Sequence, residues 1–253
     1  MTFPFDIHLG LIVIPIHLIT DVLSFYFGYK YYDYLRKKEG DHITDERRFL
    51  IIIGAALGAL IGSRLLASMQ SLQSFLHPIS FVYYYSNKTI VGGIIGGILG
   101  VEIAKKILKH KTATGDLFTF PLILGIAIGR IGCFLTGVSD GTAGNPSNLP
   151  WAVNQGDGVL RHPTSLYEII FLVITFFVLK KISHKVPLKH GIVFRLFIVS
   201  YLGFRFLIEF IKPVEPIFLG LSAIQIASLL FAFYYVYTLL FVYKYRPFIK
   251  HKV

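Results

Sequence analysis

The chain has 253 residues, of which 54% are hydrophobic and 15% are charged, and its net charge is +11. Soluble domains are normally about 45–50% apolar and about 25% charged, so this composition excludes an ordinary soluble domain and indicates a membrane protein. The single cysteine excludes an internal disulfide framework.

Seven apolar stretches follow one another along the chain, with no soluble domain between them. A helix needs about 20 mostly apolar residues to cross a bilayer. We therefore expect an all-α integral membrane protein with seven transmembrane helices in one polytopic domain, residues 1–253. The first stretch is too long, and lacks the basic flank, for a cleaved signal peptide. The predicted spans are residues 9–34, 49–69, 90–109, 116–137, 165–183, 190–211 and 217–243.

The basic residues predict the orientation of these spans. Seventeen of the 25 Lys and Arg residues lie in the loops after the first, third and fifth spans and in the C-terminal tail. The alternate loops hold only Lys88, Arg161 and Lys212. By the positive-inside rule the N-terminus is outside and the C-terminus is cytoplasmic. The net charge is thus a topology signal, and we expect no nucleic-acid partner.

Arg64, Arg130 and Arg205 lie inside apolar stretches, each late in an outward-running span, which predicts that all three are in the outer half of the membrane. Ionisable groups there are costly and usually face a polar interior. Arginine suits bidentate phosphate recognition, so one hypothesis is a site for a phospholipid head group. The other is structural pairing with Glu168, Glu209 or backbone carbonyls. Arg205 and Glu209 are four residues apart and can pair directly on one helix face.

Glycines crowd the second and third spans. Small residues at four-residue spacing let membrane helices approach closely, which favours packing over a phosphate-cradling role for most of them. The chain has no defensible internal repeat, so a transporter built from inverted halves gets little support. The glycines are Gly54, Gly58, Gly62, Gly92, Gly93, Gly96, Gly97 and Gly100.

The longest polar segment, about 138–164, is predicted to be an ordered outer-face loop because it is rich in Gly, Pro and Asn. Long loops of this kind are often functional. Trp151 either anchors the loop at the membrane interface or lines a site. His162 either serves as a general base or makes an interfacial hydrogen bond.

Two further polar groups lie within the spans. Cys133 is one turn from Arg130, and a lone thiol in a membrane helix is usually a packing residue. Asp21 is either functional or paired with a neighbouring Tyr or Lys. No His, Cys and Glu grouping has metal-ligand spacing along the sequence, so no metal is predicted.

Several runs of residues resemble motifs of the prolipoprotein diacylglyceryl transferase family. The run Gly129-Arg130-Ile131-Gly132-Cys133-Phe134-Leu135-Thr136-Gly137 resembles the family signature. The likeness extends from about residue 10 to residue 235, in matching order. Further runs that carry it are Leu149-Pro150-Trp151, Arg161-His162-Pro163-Thr164-Ser165-Leu166-Tyr167-Glu168, Phe204-Arg205-Phe206-Leu207-Ile208-Glu209-Phe210, Gly62-Ser63-Arg64-Leu65, Gly92-Gly93-Ile94-Ile95-Gly96-Gly97 and Gly220-Leu221-Ser222 with Gln225.

The resemblance implies a reaction at the outer face of the bacterial inner membrane. Such an enzyme transfers diacylglyceryl from the membrane lipid phosphatidylglycerol to the lipobox cysteine thiol of a preprolipoprotein. It leaves a thioether and releases glycerol 1-phosphate, and no metal or organic cofactor is implied.

The resemblance also implies roles for residues. Arg130 and Arg205 would hold the phosphate, Glu209 would orient Arg205, and Gly141 would let the loop backbone approach the substrate. With His162, the first three form the expected catalytic set. The expected substrate-binding residues are Arg64, Gly92, Gly93, Gly141, Trp151, Arg161, Tyr167 and Glu168.

The chain departs from the family pattern at several positions. A family histidine before the paired glycines is Val91 here, and two signature asparagines are Cys133 and Thr136. A following acidic residue is Val138, and the Trp-Tyr-Gly of the first span is replaced around His17. If the missing histidine acts as a base, another group must replace it, and His162 and His17 are the candidates. The alternative function is a divergent, non-catalytic phospholipid-binding or transport protein on the same scaffold.

Overall fold

The computed structural model describes residues 3–10, 12–40, 43–70, 87–185 and 191–245. Within these ranges the chain forms seven α-helices and two short antiparallel hairpins. The helices are α1 (Ile16–Glu39), α2 (Asp45–Ser68), α3 (Ile90–Ile107), α4 (Asp116–Thr136), α5 (Thr164–Lys185), α6 (Ile192–Ile208) and α7 (Ala223–Tyr245). The strands are β1 (Asp6–Leu9), β2 (Ile12–Pro15), β3 (Val153–Asn154) and β4 (Leu160–Arg161), and 3-10 turns cover Gly137–Asp140 and Glu209–Ile211.

Each predicted apolar stretch overlaps one of these helices, although α1, α2, α5 and α7 extend beyond the predicted bounds. Three segments are long and apolar enough to cross a membrane, namely Asp45–Ser68, Asp116–Asp140 and Ala223–Leu240. Large apolar side chains also point outward from the helices, as Phe25 does with 79% of its surface exposed. Because lipid is the environment in which such surfaces are stable, the all-α membrane class is supported. The count of seven spans and their orientation stay predictions.

The start of the first predicted span is wrong by several residues. Residues 12–15 form β2, which pairs with β1 across a turn at Gly10, and α1 begins only at Ile16. Residues 12–14 are Ile, Val and Ile, whose branched side chains favour a strand. Pro15 also disfavours helical geometry in the residue before it.

The described residues divide into two compact units. The first contains both hairpins, α1, α4, α5 and the first residues of α6. Helix α1 packs along α4, where the rings of Tyr32 and Phe118 stack with centroids 4.4 Å apart. The carboxylate of Asp116 accepts hydrogen bonds from the backbone N–H groups of Gly191 and Phe194 at the start of α6.

The second unit contains α2, α3, most of α6 and α7, and its glycines lie where α2 meets α3. A Cβ added to Gly58 would lie 2.2 Å from the carbonyl oxygen of Gly96, and one added to Gly62 would lie 2.4 Å from that of Gly92. The predicted packing role of these glycines is therefore confirmed. At the start of α3, Thr89 Oγ1 accepts a hydrogen bond from the backbone N–H of Gly92.

Candidate active site

Arg130, on α4, forms an ion pair with Glu168 on α5. Its Nε lies 3.0 Å from a carboxylate oxygen of Glu168, and both residues are almost completely buried. One terminal nitrogen of Arg130 also lies 3.6 Å from the sulfur of Cys133. Of the two sequence hypotheses for Arg130, pairing with Glu168 is thus realised. It does not exclude a phosphate role, because a guanidinium has five N–H donors and serves several acceptors at once.

A second cluster surrounds the imidazole of His17 at the start of α1. His17 Nε2 lies 3.6 Å from Cys133 Sγ and 3.1 Å from Asp140 Oδ1. Its Nδ1 lies 3.1 Å from Asp21 Oδ2, one turn further along α1. The donor atoms of His17, Cys133 and Asp140 all lie within 4.8 Å of one another. Sequence spacing did not reveal this group, because 116 residues separate His17 from Cys133.

Part of this cluster carried a sequence signal. The four-residue spacing of His17 and Asp21 already places them on one helix face. Asp21 was expected either to be functional or to pair with a neighbouring Tyr or Lys, and its carboxylate contacts His17. Cys133 was expected only to pack, yet its buried sulfur contacts two polar side chains. Asp140, at the end of the first 3-10 turn, was not among the expected site residues.

The loop of residues 138–164 holds Asp140 in place. Thr142 donates a hydrogen bond to Asp140 Oδ2 at 2.7 Å, and its hydroxyl lies 3.2 Å from that of Ser165. Gly141, which stands between Asp140 and Thr142 in the chain, has a φ of +71° and no atom within 4 Å of where a Cβ would lie. The left-handed conformation alone therefore accounts for a glycine here, beside the expected role in substrate approach.

Trp151, His162 and Tyr167 lie together at one end of α5. Tyr167 Oη accepts a hydrogen bond from Trp151 Nε1 at 2.8 Å and lies 3.2 Å from His162 Nδ1. His162 thus has a hydrogen-bond contact of the kind considered, and its place at the membrane interface stays a prediction. An open groove of about 450 Å³ lies here, lined mainly by apolar side chains, and its lining residues are Leu149, Trp151, His162, Tyr167, Ile170 and Ile211.

Arg161 has a structural contact within the same loop. Its guanidinium pairs with Asp157 at 2.7 Å and donates to the carbonyl oxygen of Gly144 at 3.4 Å. The hydrogen bond from Arg161 lowers the pKa of the Asp157 carboxyl. Arg161 therefore stabilises the loop, whether or not it also contacts a substrate.

The remaining expected residues lie in the second unit. Arg205 pairs with Glu209 one turn along the chain, and both are buried, which confirms the predicted direct pairing. A terminal nitrogen of Arg64 donates to the carbonyl oxygen of Asn87 at 3.3 Å. A Cβ on Gly92 would clash with α2, whereas one on Gly93 would make ordinary contacts. That Arg64, Arg130 and Arg205 share one site stays a prediction.

The comparison with known families decides the classification. Residues 4–242 match the family model described as prolipoprotein diacylglyceryl transferase. The chain belongs to the prolipoprotein diacylglyceryl transferase family.

Similar proteins bear the name phosphatidylglycerol–prolipoprotein diacylglyceryl transferase. One from Bordetella bronchiseptica is 34% identical over 185 residues, covering 68% of this chain and 67% of the relative. One from Bordetella avium is 30% identical over 228 residues, covering 87% and 85%. One from Methylobacillus flagellatus is 32% identical over 192 residues, covering 72% and 69%. The predicted resemblance to this transferase family is confirmed.

Family membership gives the His17 cluster added meaning. His17 lies where the first-span Trp-Tyr-Gly is replaced, and Cys133 stands for one asparagine of the transferase signature. These two departures are distant in sequence but in contact in the fold. Two of the positions at which the sequence resemblance departs from the family pattern therefore touch each other.

Proposed function

We propose that this protein is a membrane-bound transferase that moves diacylglyceryl from phosphatidylglycerol to the cysteine thiol of a prolipoprotein. The observation that carries the proposal is the family match over residues 4–242, which includes every helix that bears a candidate side chain. The finer features are also proposed: the acceptor is the lipobox cysteine, and the active site faces the outer side of the inner membrane.

The reaction replaces one bond with another. The acceptor sulfur forms a bond to a glyceryl carbon of the lipid, and the bond from that carbon to a phosphate oxygen breaks. Glycerol 1-phosphate leaves with the electron pair, so negative charge grows on its phosphate. Fixed cations placed before the reaction stabilise such a developing charge most effectively.

Arg130 is the cation of the first unit that we assign to this phosphate. Its buried ion pair with Glu168 holds the guanidinium beside a carboxylate, which favours a defined position for its N–H donors. Arg205 stands in the same relation to Glu209 in the second unit and is proposed to be required as well. In both cases the glutamate acts as an orienting partner.

The groove beside Trp151 is proposed to take an apolar part of a substrate. Its lining of Leu149, Ile170 and Ile211 suits an acyl chain or the apolar side chains of a lipobox, and His162 and Tyr167 give it a polar end. The substrate-contact roles of Arg64, Gly92, Gly93, Gly141 and Arg161 remain proposals of the same kind.

The test is a transfer assay on purified protein. Phosphatidylglycerol labelled in its acyl chains is supplied with a lipobox peptide, and the thioether-linked product and free glycerol 1-phosphate are measured. We expect both products in equal amounts. No transfer from folded protein, with the Bordetella avium relative active in the same assay, would contradict the proposal.

The second candidate is the non-catalytic lipid-binding or transport protein. The observation that favours it is Val91, a completely buried apolar side chain where the family has a histidine. Binding or flux of phosphatidylglycerol without product would support this function, and any turnover would refute it.

A further inference from the structure

The His17 cluster has the composition of a metal site. It offers an imidazole nitrogen, a thiolate sulfur and a carboxylate oxygen, which are the three ligand types that Zn²⁺ takes from proteins. With a neutral His17, an ionised Cys133 and an ionised Asp140, a bound divalent ion gives a group of zero formal charge. Such a group avoids most of the cost of burying separate charges.

The distances also fit. Zn²⁺ with Zn–N and Zn–O bonds of about 2.0–2.1 Å and a Zn–S bond of about 2.3 Å, at tetrahedral angles, sets nitrogen and sulfur about 3.6 Å apart and nitrogen and oxygen about 3.3 Å apart. His17 Nε2 lies 3.6 Å from Cys133 Sγ and 3.1 Å from Asp140 Oδ1. Two of the three donor–donor distances thus match a tetrahedral site, and the third, from Cys133 Sγ to the Asp140 carboxylate, is at most 4.8 Å.

The groups behind the ligands have the arrangement expected around a metal. A metal-bound histidine usually gives its other ring nitrogen to a carboxylate, which fixes the ring. Here Asp21 Oδ2 lies 3.1 Å from His17 Nδ1, on the side away from Cys133 and Asp140. Asp140 is likewise held through its second oxygen by Thr142.

We propose that His17, Cys133 and Asp140 bind a divalent metal of the zinc class, and that its open fourth position takes the thiol of the substrate cysteine. Three protein ligands with one open position is the pattern of catalytic rather than structural zinc sites. The first half of the proposal is independent of the proposed function, and the second half rests on it.

A metal at this site would activate the acceptor sulfur by favouring its thiolate form. A thiol that binds zinc does so as the thiolate, so its proton is lost at neutral pH. The sulfur lone pair then forms the bond to the glyceryl carbon while the carbon–oxygen bond breaks, and the proton ends on the released phosphate. A terminal nitrogen of Arg130, the proposed phosphate ligand, lies 3.6 Å from Cys133 Sγ and is therefore close to the proposed metal.

The metal-binding test uses full-length protein purified in detergent through a tag that contains no histidine. After removal of metal, we expect one Zn²⁺ per chain, and Co²⁺ in its place should give a thiolate-to-cobalt absorption band in the near ultraviolet. Since Cys133 is the only cysteine, that band reports on Cys133 alone. Cys133→Ser should abolish the band, and His17→Gln and Asp140→Asn should each weaken Zn²⁺ binding by about 100-fold or more.

Two further variants separate metal binding from general damage. Asp21→Asn should keep the cobalt band but weaken binding by about 10–100-fold, because only the orientation of His17 is lost. The matched control His8→Gln, an exposed histidine on β1, should change neither. If folded wild-type protein binds Zn²⁺ no more tightly than folded Cys133→Asn, the proposal is wrong, and His17 is instead an imidazolium held by Asp21 and Asp140.

The second half of the proposal, that the substrate thiol binds at the fourth metal position, is tested by adding a lipobox peptide to the cobalt-loaded protein. A cysteine peptide should intensify the charge-transfer band, and the same peptide with serine should not. An unchanged spectrum with the cysteine peptide would overturn the fourth-position assignment. Transfer activity that survives Cys133→Ser and His17→Gln would exclude the metal from the reaction. A cobalt band without any transfer by the wild type would instead contradict the proposed function and leave the metal site standing.

Discussion

The guanidinium of Arg130 and the carboxylate of Glu168 pair at 3.0 Å between α4 and α5, with both side chains almost completely buried. A buried pair of this kind is costly to break, because removing one partner leaves the other charge without compensation. The pair therefore links the stability of the first unit to the position of the proposed phosphate ligand.

Glu168→Gln should destabilise the protein and lower its activity. The substitution leaves a buried cation next to a neutral amide, at a cost of about 3 kcal/mol. We expect a lower Tm, and transfer activity reduced by about 100-fold as the guanidinium loses its fixed orientation. Arg47→Gln, an exposed arginine on α2, is the control and should change neither quantity. If Glu168→Gln keeps the wild-type Tm and activity, the pair of Arg130 and Glu168 contributes neither to stability nor to transfer.

Arg205 and Glu209 should behave as one unit in a double-mutant cycle. Arg205→Ala is expected to reduce transfer to a small residual rate, whereas Glu209→Gln is expected to reduce it less, because the glutamate only orients the arginine. The double variant should then be no worse than Arg205→Ala, which corresponds to a coupling energy of about 1–3 kcal/mol. Additive effects on kcat/KM would show that the two residues act separately, and full activity of Arg205→Ala would exclude that residue from the site.

Substitution of glycine by alanine should destabilise the protein inside the contact between α2 and α3 but not outside it. Gly58→Ala forces a Cβ to within 2.2 Å of a backbone oxygen and should destabilise the second unit by about 1–3 kcal/mol. Gly203→Ala, on α6 with nothing within 4 Å, should be neutral or gain about 0.5–1 kcal/mol from helix propensity. Thermal unfolding in detergent measures both. Equal Tm values for the two variants would disprove the close approach.

Substitutions of Gly141 distinguish between the two explanations for a glycine at this position, namely its left-handed conformation and its approach to the substrate. If its φ of +71° is the reason for glycine, Gly141→Ala should cost about 1–2 kcal/mol of stability. Gly141→Asn should cost less, since asparagine tolerates this conformation. If approach to the substrate is the reason, the larger asparagine should instead reduce activity more than alanine does, with little difference in Tm. Tm and KM measured for both variants decide between the two.

Local patterns predicted much of the fold. Apolar runs located all seven helices of the described residues, because helices with apolar surfaces need long runs of apolar residues. The spacing of Arg205 and Glu209 predicted their pairing, since both lie on one helix. The hairpin of β1 and β2 was missed because an apolar run of branched residues before Pro15 has the composition of a span but the geometry of a strand.

Most contacts around Cys133 could not be predicted from patterns in the sequence. His17, Cys133 and Asp140 come from the start of α1, the last turn of α4 and the loop after it. Their proximity depends on how α1 packs against α4, and no spacing within the chain encodes that packing. Only the contacts within one helix, between His17 and Asp21 and between Arg130 and Cys133, have a spacing that the sequence shows.

The hydrogen bonds of the Asp116 carboxylate can form only late in the synthesis of the chain. Its hydrogen-bond partners at the start of α6 lie 75 and 78 residues later in the chain. The ribosome must therefore release α4, the loop of residues 138–164 and α5 before the first N–H groups of α6 reach this acceptor. Until then this end of α6 lacks one source of stabilisation, so the first unit is completed late in translation.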